Sequence, residues 1–522
     1  MTGFLIHSPL EHFARNTPQH PALVCEGVEM SYAELDQRSN RLAHALIDNG
    51  AQRGDRVGIH MHKCLELGVA IYGILKAGCV FVPLDPFMPE ARISFIIDDC
   101  DIRHLLTNDA LAPAILSIQK QQPLHIYGTK HDSSANVYSW DAIAQYQDLS
   151  PNLPMIDQEL GYIMYTSGST GVPKGMMHTH LGSVTYARWG ADHVSMSASD
   201  RVASHAPLHF DLSIFDFFST VQSGATVVLV PEPVTRFAAS WTQTIESERI
   251  SVVFTVPYTL ITMVEQGAMD SRDLSSLRWV LFGGEPFPPD KLRRLMLQLE
   301  NVSFTNVYGP AEAPSCTCHD VLLPEEGSEE PISIGIVSRN SSDIIIDEND
   351  EDCPDGQPGE LCIRSTTLTR GYWNRPDLNK VAFLTRQTVE AFPAVYFRTG
   401  DRVVRQPDGN LAFLGRIGRM VKVRGQRVEL DEVESVLATM PDAQEVAAIT
   451  VPGPHDSLQI VCAITLTTGS SAVAADFLKL ARSRLPPFAV PGEIQILQEL
   501  PHTSTGKLNR KQLAEAWTHQ TQ

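Results

Sequence analysis

At 522 residues the chain is long enough for three to four domains of roughly 150 residues each. With 43% hydrophobic and 20% charged residues it can fill large cores, which excludes disordered, collagenous and disulfide-scaffold classes. Forty-one Lys and Arg against 61 Asp and Glu give a formal charge of −20; so acidic a surface repels phosphate backbones, and nucleic acid is not expected as a partner.

The opening MTGFLIHSPLEHFARN has no basic segment followed by an apolar one, so no signal peptide is expected. Ser31-Tyr-Ala-Glu34 reads as a capping box opening a helix whose Leu35, Leu42 and Leu46 share a face. The most apolar stretch, Leu67 to Leu84, contains Lys76 and three glycines and ends in Pro83-Leu84-Asp85-Pro86. It reads as a buried helix running into a buried strand, not as a membrane span. Short β-branched runs then recur at Val80–Val82, Ala225–Val230, Val252–Val256 and Trp279–Phe282, separated by helical segments. That alternation predicts βαβ units and mostly parallel sheets. From about 332 the pattern changes to hairpins, Asp343–Ile346 with Gly359–Arg364 and Arg402–Val404 with Leu411–Leu414, the second around Pro407-Asp-Gly409. Arg416, Arg419, Lys422, Arg424 and Arg427 follow with no acid among them. After this basic run comes a small α/β pattern: a helix from Leu430, strands at 445–450 and 459–466, a helix from Ala474 and a strand at 493–497. Nine cysteines, an odd count scattered along the chain, read as reduced thiols of a cytoplasmic protein. Cys316-Thr-Cys318-His319 lacks a second ligand pair at zinc spacing, so no metal is assigned to it.

Tyr165-Thr166-Ser167-Gly168-Ser169-Thr170-Gly171-Val172-Pro173-Lys174-Gly175 is the most informative stretch. After the apolar Tyr162-Ile-Met164 it offers hydroxyls, glycines that let backbone N–H groups converge on an anion, and a lysine charge: a strand leading into a phosphate-binding loop. It is not the common P-loop spacing, because Lys174 is followed by glycine.

Here the chain resembles the AMP-forming adenylating enzymes, which include acyl-CoA synthetases and the adenylation domains of nonribosomal peptide synthetases. The loop resembles their S-G-S-T-G-x-P-K-G motif, and further matches recur in order. They are Leu75–Gly78 with Val82–Pro86, Asn306-Val-Tyr-Gly309-Pro-Ala-Glu312, Tyr396–Asp401, Gly415-Arg416 with Lys422–Glu429, and Pro501–Lys507. The resemblance covers nearly the whole chain. It implies an α/β fold: a large layered N-terminal body (1–415) with mostly parallel sheets and a distorted β-barrel, and a small mobile C-terminal α+β domain (416–522). It also implies ATP and Mg²⁺ as cofactors, and attack of a substrate carboxylate on the α-phosphate, so that positioning and charge neutralisation do the catalysis.

By the same resemblance, Thr166 to Gly171 and Lys174 would hold the β- and γ-phosphates, and Glu312 would hold Mg²⁺. Asp401 would accept from the ribose hydroxyls, Tyr308 would stack on adenine beside Gly309, and Gly283, Gly284 and Glu285 would approach its other face. Arg416 would reach the ribose side, and Lys507 would bridge substrate carboxylate and α-phosphate. Two positions depart from the family pattern. Ala311 stands where threonine is usual, and Gly418 where the hinge aspartate is usual; glycine absorbs large backbone rotations.

Phe210-Asp211-Leu212-Ser213 resembles the motif with which amino-acid-activating members pair an aspartate with the substrate ammonium. An N-cap for the helix that follows is the alternative for Asp211. The family's pocket positions fall on Asp211, Leu212, Phe215, Phe254, Leu281, Gly283, Val307, Ser315, Cys316 and Lys507. Beyond Asp211 and Lys507 they are uncharged, and the two aromatic rings shrink the cavity, so a small neutral amino acid is expected, L-proline first. Asp456-Ser-Leu458, the nearest approach to a carrier-domain serine motif, reads as a hairpin turn. The phosphopantetheine thiol that accepts the product is therefore expected on a separate carrier protein, and the basic run is a candidate contact for it. The expected enzyme is a monomer or weak dimer. An acyl-CoA synthetase for a small carboxylic acid, a D-alanine-type carrier-protein ligase and a nucleotide-binding regulatory protein are the alternatives.

Overall fold

The computed structural model describes residues 3–120, 123–130, 136–166, 172–389, 392–502 and 508–520. The chain divides into two compact units. One comprises Met1–Pro86, Ile97–Tyr165 and Gly175–Ile417; the other comprises Phe87–Ile96, Thr166–Lys174 and Gly418–Gln522.

The β-branched runs build two large sheets. In the nine-stranded sheet the order is Ile336–Val337, Thr317–Asp320, Ser303–Tyr308, Trp279–Gly283, Val252–Thr255, Arg201–Ser204, Thr226–Leu229, Pro21–Cys25, Val28–Ser31. The six strands from Ser303–Tyr308 through Pro21–Cys25 pair in parallel, and the flanking pairs are antiparallel. A seven-stranded sheet runs Val137–Tyr138, His125–Tyr127, His104–Thr107, Arg56–His60, Val80–Pro83, Leu160–Thr166, Lys174–Thr179. Its inner strands are buried on both faces, as parallel strands covered by helices must be. The hairpin region forms a five-stranded antiparallel sheet, in which Ser341–Ile346 pairs with Gly359–Ser365 and Phe392–Arg405 with Leu411–Arg416. The fold is thus α/β with large parallel-rich sheets and a smaller C-terminal part.

Helix Tyr32–Asp48 starts where Ser31 accepts from the Glu34 amide at 3.2 Å. The Glu34 carboxylate lies 3.5 Å from Arg38, so the helix opens on one cap bond and an i,i+4 ion pair. Helix Leu65–Lys76 has ten buried residues; Lys76 among them donates to Asp36 at 2.6 Å and Asn40 at 2.7 Å. Among the described residues no helix is long and apolar enough to cross a membrane.

In the second unit, strands Ala443–Pro452, Leu458–Leu466 and Glu493–Leu497 form one sheet, under helices Leu430–Ala438 and Ala474–Arg484. Asp456 ends a short 3₁₀ turn between the first two strands. The basic run is largely spent internally. Arg419 donates to Asp431 and, at 2.7 Å, to Glu434, and Arg427 lies 3.3 Å from Glu429.

Burial pulls His60, His104 and His180 down to about 4 and His205 to about 3. An unfolded histidine titrates near 6.5, so between those values the unfolded chain binds more protons. Stability is therefore full above pH 6.5 and is lost as pH falls toward 4, at about 1.4 kcal/mol per unit of depression for each ring. The thermal midpoint is expected to drop between pH 7.5 and pH 5; a flat or rising midpoint would contradict this burial pattern.

Candidate active site

Ligands of open α/β sheets bind beyond the carboxyl ends of the strands; Gly283 ends strand Trp279–Gly283 and Tyr308 ends strand Ser303–Tyr308. Side chains alternate along a strand, and here the alternation sorts them cleanly. The register pairs Phe254 with Leu281 and Gly283 with Val307. Phe254, Leu281 and Val307 fall in one buried cluster with Leu212 and Phe215, whereas Val253, Val280 and Phe282 fall in another. A methyl group on Gly283 would lie 2.1 Å from the Val307 carbonyl, so no side chain fits there. Gly284 has φ 98°, a conformation that glycine adopts without strain.

Phe215 opens a π-helical turn, Phe215–Ser219, and its ring meets Phe254 edge-on with centroids 5.4 Å apart. It also presses on helix His180–His193 at Gly190, where a Cβ would come within 2.6 Å of the ring. Ser315 has φ 50°, and the Tyr186 hydroxyl is hydrogen-bonded to it. Cys316 is fully buried, and burial pushes its thiol well up; it points at the Tyr308 carbonyl, 3.6 Å away.

Asp211 occupies the N-cap position of helix Leu212–Ile214, yet its side chain makes no cap hydrogen bond. After burial, the Asp211 carboxylate is the next cause holding the Tyr162 phenol above its ordinary value, and it contributes at Tyr186 as well.

Asp401 lies within strand Phe392–Arg405, not in a turn, and is 2% exposed. The Tyr308 hydroxyl donates to its Oδ2 at 2.5 Å, and Arg416, its register partner, sits 2.9 Å from Oδ1. Arg416 also donates to the Thr399 carbonyl at 2.9 Å. Burial first, then Asp401, keeps the Tyr308 phenol well above its usual range and so a neutral donor. Tyr308 and Arg416 thus converge on the Asp401 carboxylate. Glu285 accepts from the Tyr258 amide at 3.0 Å, and Gly309 packs so tightly that a Cβ would lie 2.5 Å from the Ser315 nitrogen.

Glu312 is in a turn, not at a helix start, and is fully buried. It accepts from the Tyr372 hydroxyl at 2.6 Å. His178 lies close by: burial takes it to about 4, and it is hydrogen-bonded to the Ala311 and Thr367 backbones, with its ring stacked on Tyr162 at 4.8 Å. A buried carboxylate oxygen is a ligand type that Mg²⁺ accepts. Among the described residues no three His, Cys, Asp or Glu converge as a cage. Mg²⁺ commonly takes one or two carboxylates and completes its shell with phosphate oxygens and water, so Glu312 fits.

Thr166 ends strand Leu160–Thr166, and Lys174, buried, begins strand Lys174–Thr179. Ser167, Gly168, Ser169, Thr170, Gly171 and Lys507 lie outside the described residues. Gly418 has φ 105° with open space where a Cβ would be, and the first unit ends one residue before it.

Sequence reasoning missed Tyr372, His178 and the buried pair of charges at Lys63 and Asp216. Burial lowers Lys63 to about 8 and raises Asp216 well above the carboxylate range. Lys63 donates to the Ser204 and His205 carbonyls at 2.5 and 2.8 Å. A carboxylate inside the apolar run Phe215-Asp-Phe-Phe218 was the available signal.

Comparison with known proteins shows the family. The family model described as AMP-binding enzyme matches residues 10–373, and its C-terminal-domain model matches 432–507. The chain belongs to the AMP-binding enzyme family. It is 31% identical over 510 residues to the L-proline–L-prolyl-carrier-protein ligase of Pseudomonas fluorescens, covering 98% of this chain and 99% of that one. It is likewise 31% identical to gramicidin S synthase 1 of Brevibacillus brevis, over 98% of this chain but only 44% of the relative. The amide bond synthetase McbA from Marinactinospora thermotolerans has the same fold, with a TM-score of 0.86 at 22% identity over 98% of this chain and 99% of that one.

Proposed function

We propose that the protein activates a small neutral amino acid, L-proline first, as an aminoacyl-adenylate and transfers it to the phosphopantetheine thiol of a separate carrier protein. In the first step a carboxylate oxygen attacks the α-phosphorus of ATP and the bond to the bridging oxygen of pyrophosphate breaks. In the second the thiol attacks the acyl carbon, gives up its proton and displaces AMP. Both are displacements, so the protein's part is alignment and charge neutralisation.

Asp211 carries the amino-acid reading. Its side chain does not cap helix Leu212–Ile214, it directly precedes the buried Leu212 and Ser213, and a substrate ammonium is a fitting partner for a carboxylate so placed. Phe215 and Phe254 pack edge-on and Cys316 is fully buried, a set of uncharged side chains that suits a small neutral substrate. Asp401 with Arg416 would take the ribose, and Lys174 with residues 166–171 the phosphates. When bound at Glu312, Mg²⁺ would neutralise phosphate charge and favour departure of pyrophosphate. Lys507 would bridge the two reacting anions. Gly418 would serve as the backbone hinge between the two steps. The match to an L-proline–L-prolyl-carrier-protein ligase along 99% of its length supports both the substrate and a carrier-protein acceptor.

Incubation with ATP, Mg²⁺, an equimolar amino-acid mixture and a panel of phosphopantetheinylated carrier proteins, read by intact-protein mass spectrometry, tests this. A mass gain of one prolyl group on a carrier is expected. Loading by D-alanine would move the substrate to the D-alanine-type reading, and formation of acyl-CoA with no carrier loading would replace the proposal.

A further inference from the structure

The mechanism leaves two buried charges unused, Lys63 and Asp216, and both belong to the loop that carries Asp211. That loop leaves strand Arg201–Ser204 and returns through helix Leu212–Ile214 into the π-helical turn Phe215–Ser219. Its tip closes on itself. The Phe210 amide donates to the Pro207 carbonyl at 3.0 Å, the Ile214 amide to the Asp211 carbonyl at 3.1 Å, and the Ser213 hydroxyl to the Leu208 carbonyl at 3.0 Å. Lys63 joins its two legs. The ammonium group donates to the Ser204 and His205 carbonyls of the outgoing leg, at 2.5 and 2.8 Å. After burial, Asp216 on the returning leg is the strongest influence on that ammonium group, ahead of Glu232. Asp216 is fully buried; the Lys63 charge first, then the Ala206 backbone, offset part of the cost of burying it. The anchors are themselves held. The Lys63 amide donates to Glu232 at 3.2 Å; the His205 ring shares a hydrogen bond with the Thr255 hydroxyl at 3.2 Å and packs on Trp241 with centroids 4.8 Å apart.

We propose that Lys63 is a positioning residue for amino-acid recognition: by joining the two legs of the 204–219 loop, it fixes where Asp211 is presented to the substrate ammonium. This rests on the reading of Asp211 as the ammonium partner. A lysine is a compact charge with three donors, so one side chain can hold two carbonyls and still answer a carboxylate. Burying such a charge is costly unless it is paired and hydrogen-bonded, and here both conditions are met by the loop itself. Asp211 lies between the two anchored legs, and the returning leg carries Phe215 of the predicted pocket beside Asp216. A shift of either leg is therefore passed to the recognition carboxylate. Side chains locked in this way keep a site's geometry before its ligand arrives.

The test is ATP–pyrophosphate exchange by the parent, Lys63→Met, the double variant Lys63→Met with Asp216→Leu, and Asp211→Ala, each with its thermal midpoint. The substrates are L-proline, or whichever amino acid the parent exchanges best, and the matching acid that lacks the amino group. Lys63→Met is expected to raise the amino-acid KM by roughly ten- to a hundredfold, the scale on which a displaced recognition group is felt. The ATP KM should stay within about twofold, since uniform binding of the nucleotide is untouched. The parent's preference for the amino acid over the amine-free acid should shrink in the same variant. Its midpoint should fall, because Asp216 is left buried without its counter-charge. The double variant removes both charges, so it should regain most of the midpoint and fold even where the single variant does not. Its amino-acid KM should nevertheless stay raised, because the Ser204 and His205 carbonyls have lost their donor. A parental amino-acid KM in either variant, a KM that recovers with the midpoint, or an ATP KM that rises in parallel would each overturn the proposal. A parental KM and an undiminished preference for the amine in Asp211→Ala would instead overturn the Asp211 reading, a distinct result.

Discussion

Replacing Lys507 with alanine is expected to reduce aminoacyl-adenylate formation by roughly two to three orders of magnitude, the cost of removing one group that stabilises transition-state charge. ATP binding, measured separately, should be largely retained, because the residues proposed for the ribose, adenine and phosphates are elsewhere in the chain. Lysine, a compact point charge on a flexible stem, suits two converging anions. Steady-state adenylation and equilibrium ATP binding on the same preparation check this. Near-parental adenylation would remove Lys507 from the chemistry.

The second large effect is expected at Asp211. Asp211→Ala should raise the amino-acid KM by about a hundredfold or more while leaving the ATP KM within about twofold. Breaking a buried ion pair leaves the other charge, here the substrate ammonium, without its partner, a loss of about 3–5 kcal/mol. Asp211→Asn should recover little, because the amide keeps the shape but not the charge. Because the side chain makes no cap bond, neither substitution removes one from helix Leu212–Ile214. A KM for ATP that rose in parallel would mean that the pocket had collapsed and that Asp211 is structural.

Local pattern was a good guide wherever local forces decide. The β-branched runs at 80–82, 225–230, 252–256 and 279–282 are strands in the two large sheets, and the second unit's helices start at Leu430 and Ala474 as their periodicity indicates. The shared face of Phe254, Leu281 and Val307 is a consequence of strand alternation together with register. What escaped depends on contacts remote in sequence. Tyr372 meets Glu312 across 60 residues, and nothing in Gly-Tyr-Trp-Asn-Arg marks that partner. The π-turn at Phe215–Ser219 buries Asp216, which helical periodicity would place on a wet face. Asp211 was ambiguous in sequence because an aspartate before a helix is also a good cap; the missing cap bond weighs against that alternative.

The central claim is amino-acid activation, and ATP–pyrophosphate exchange over a panel of amino acids, fatty acids and aryl acids tests it most directly. Exchange is expected with small neutral amino acids, strongest with L-proline, and at background with fatty and aryl acids. Exchange confined to fatty or aryl acids, or none with any amino acid, would contradict it.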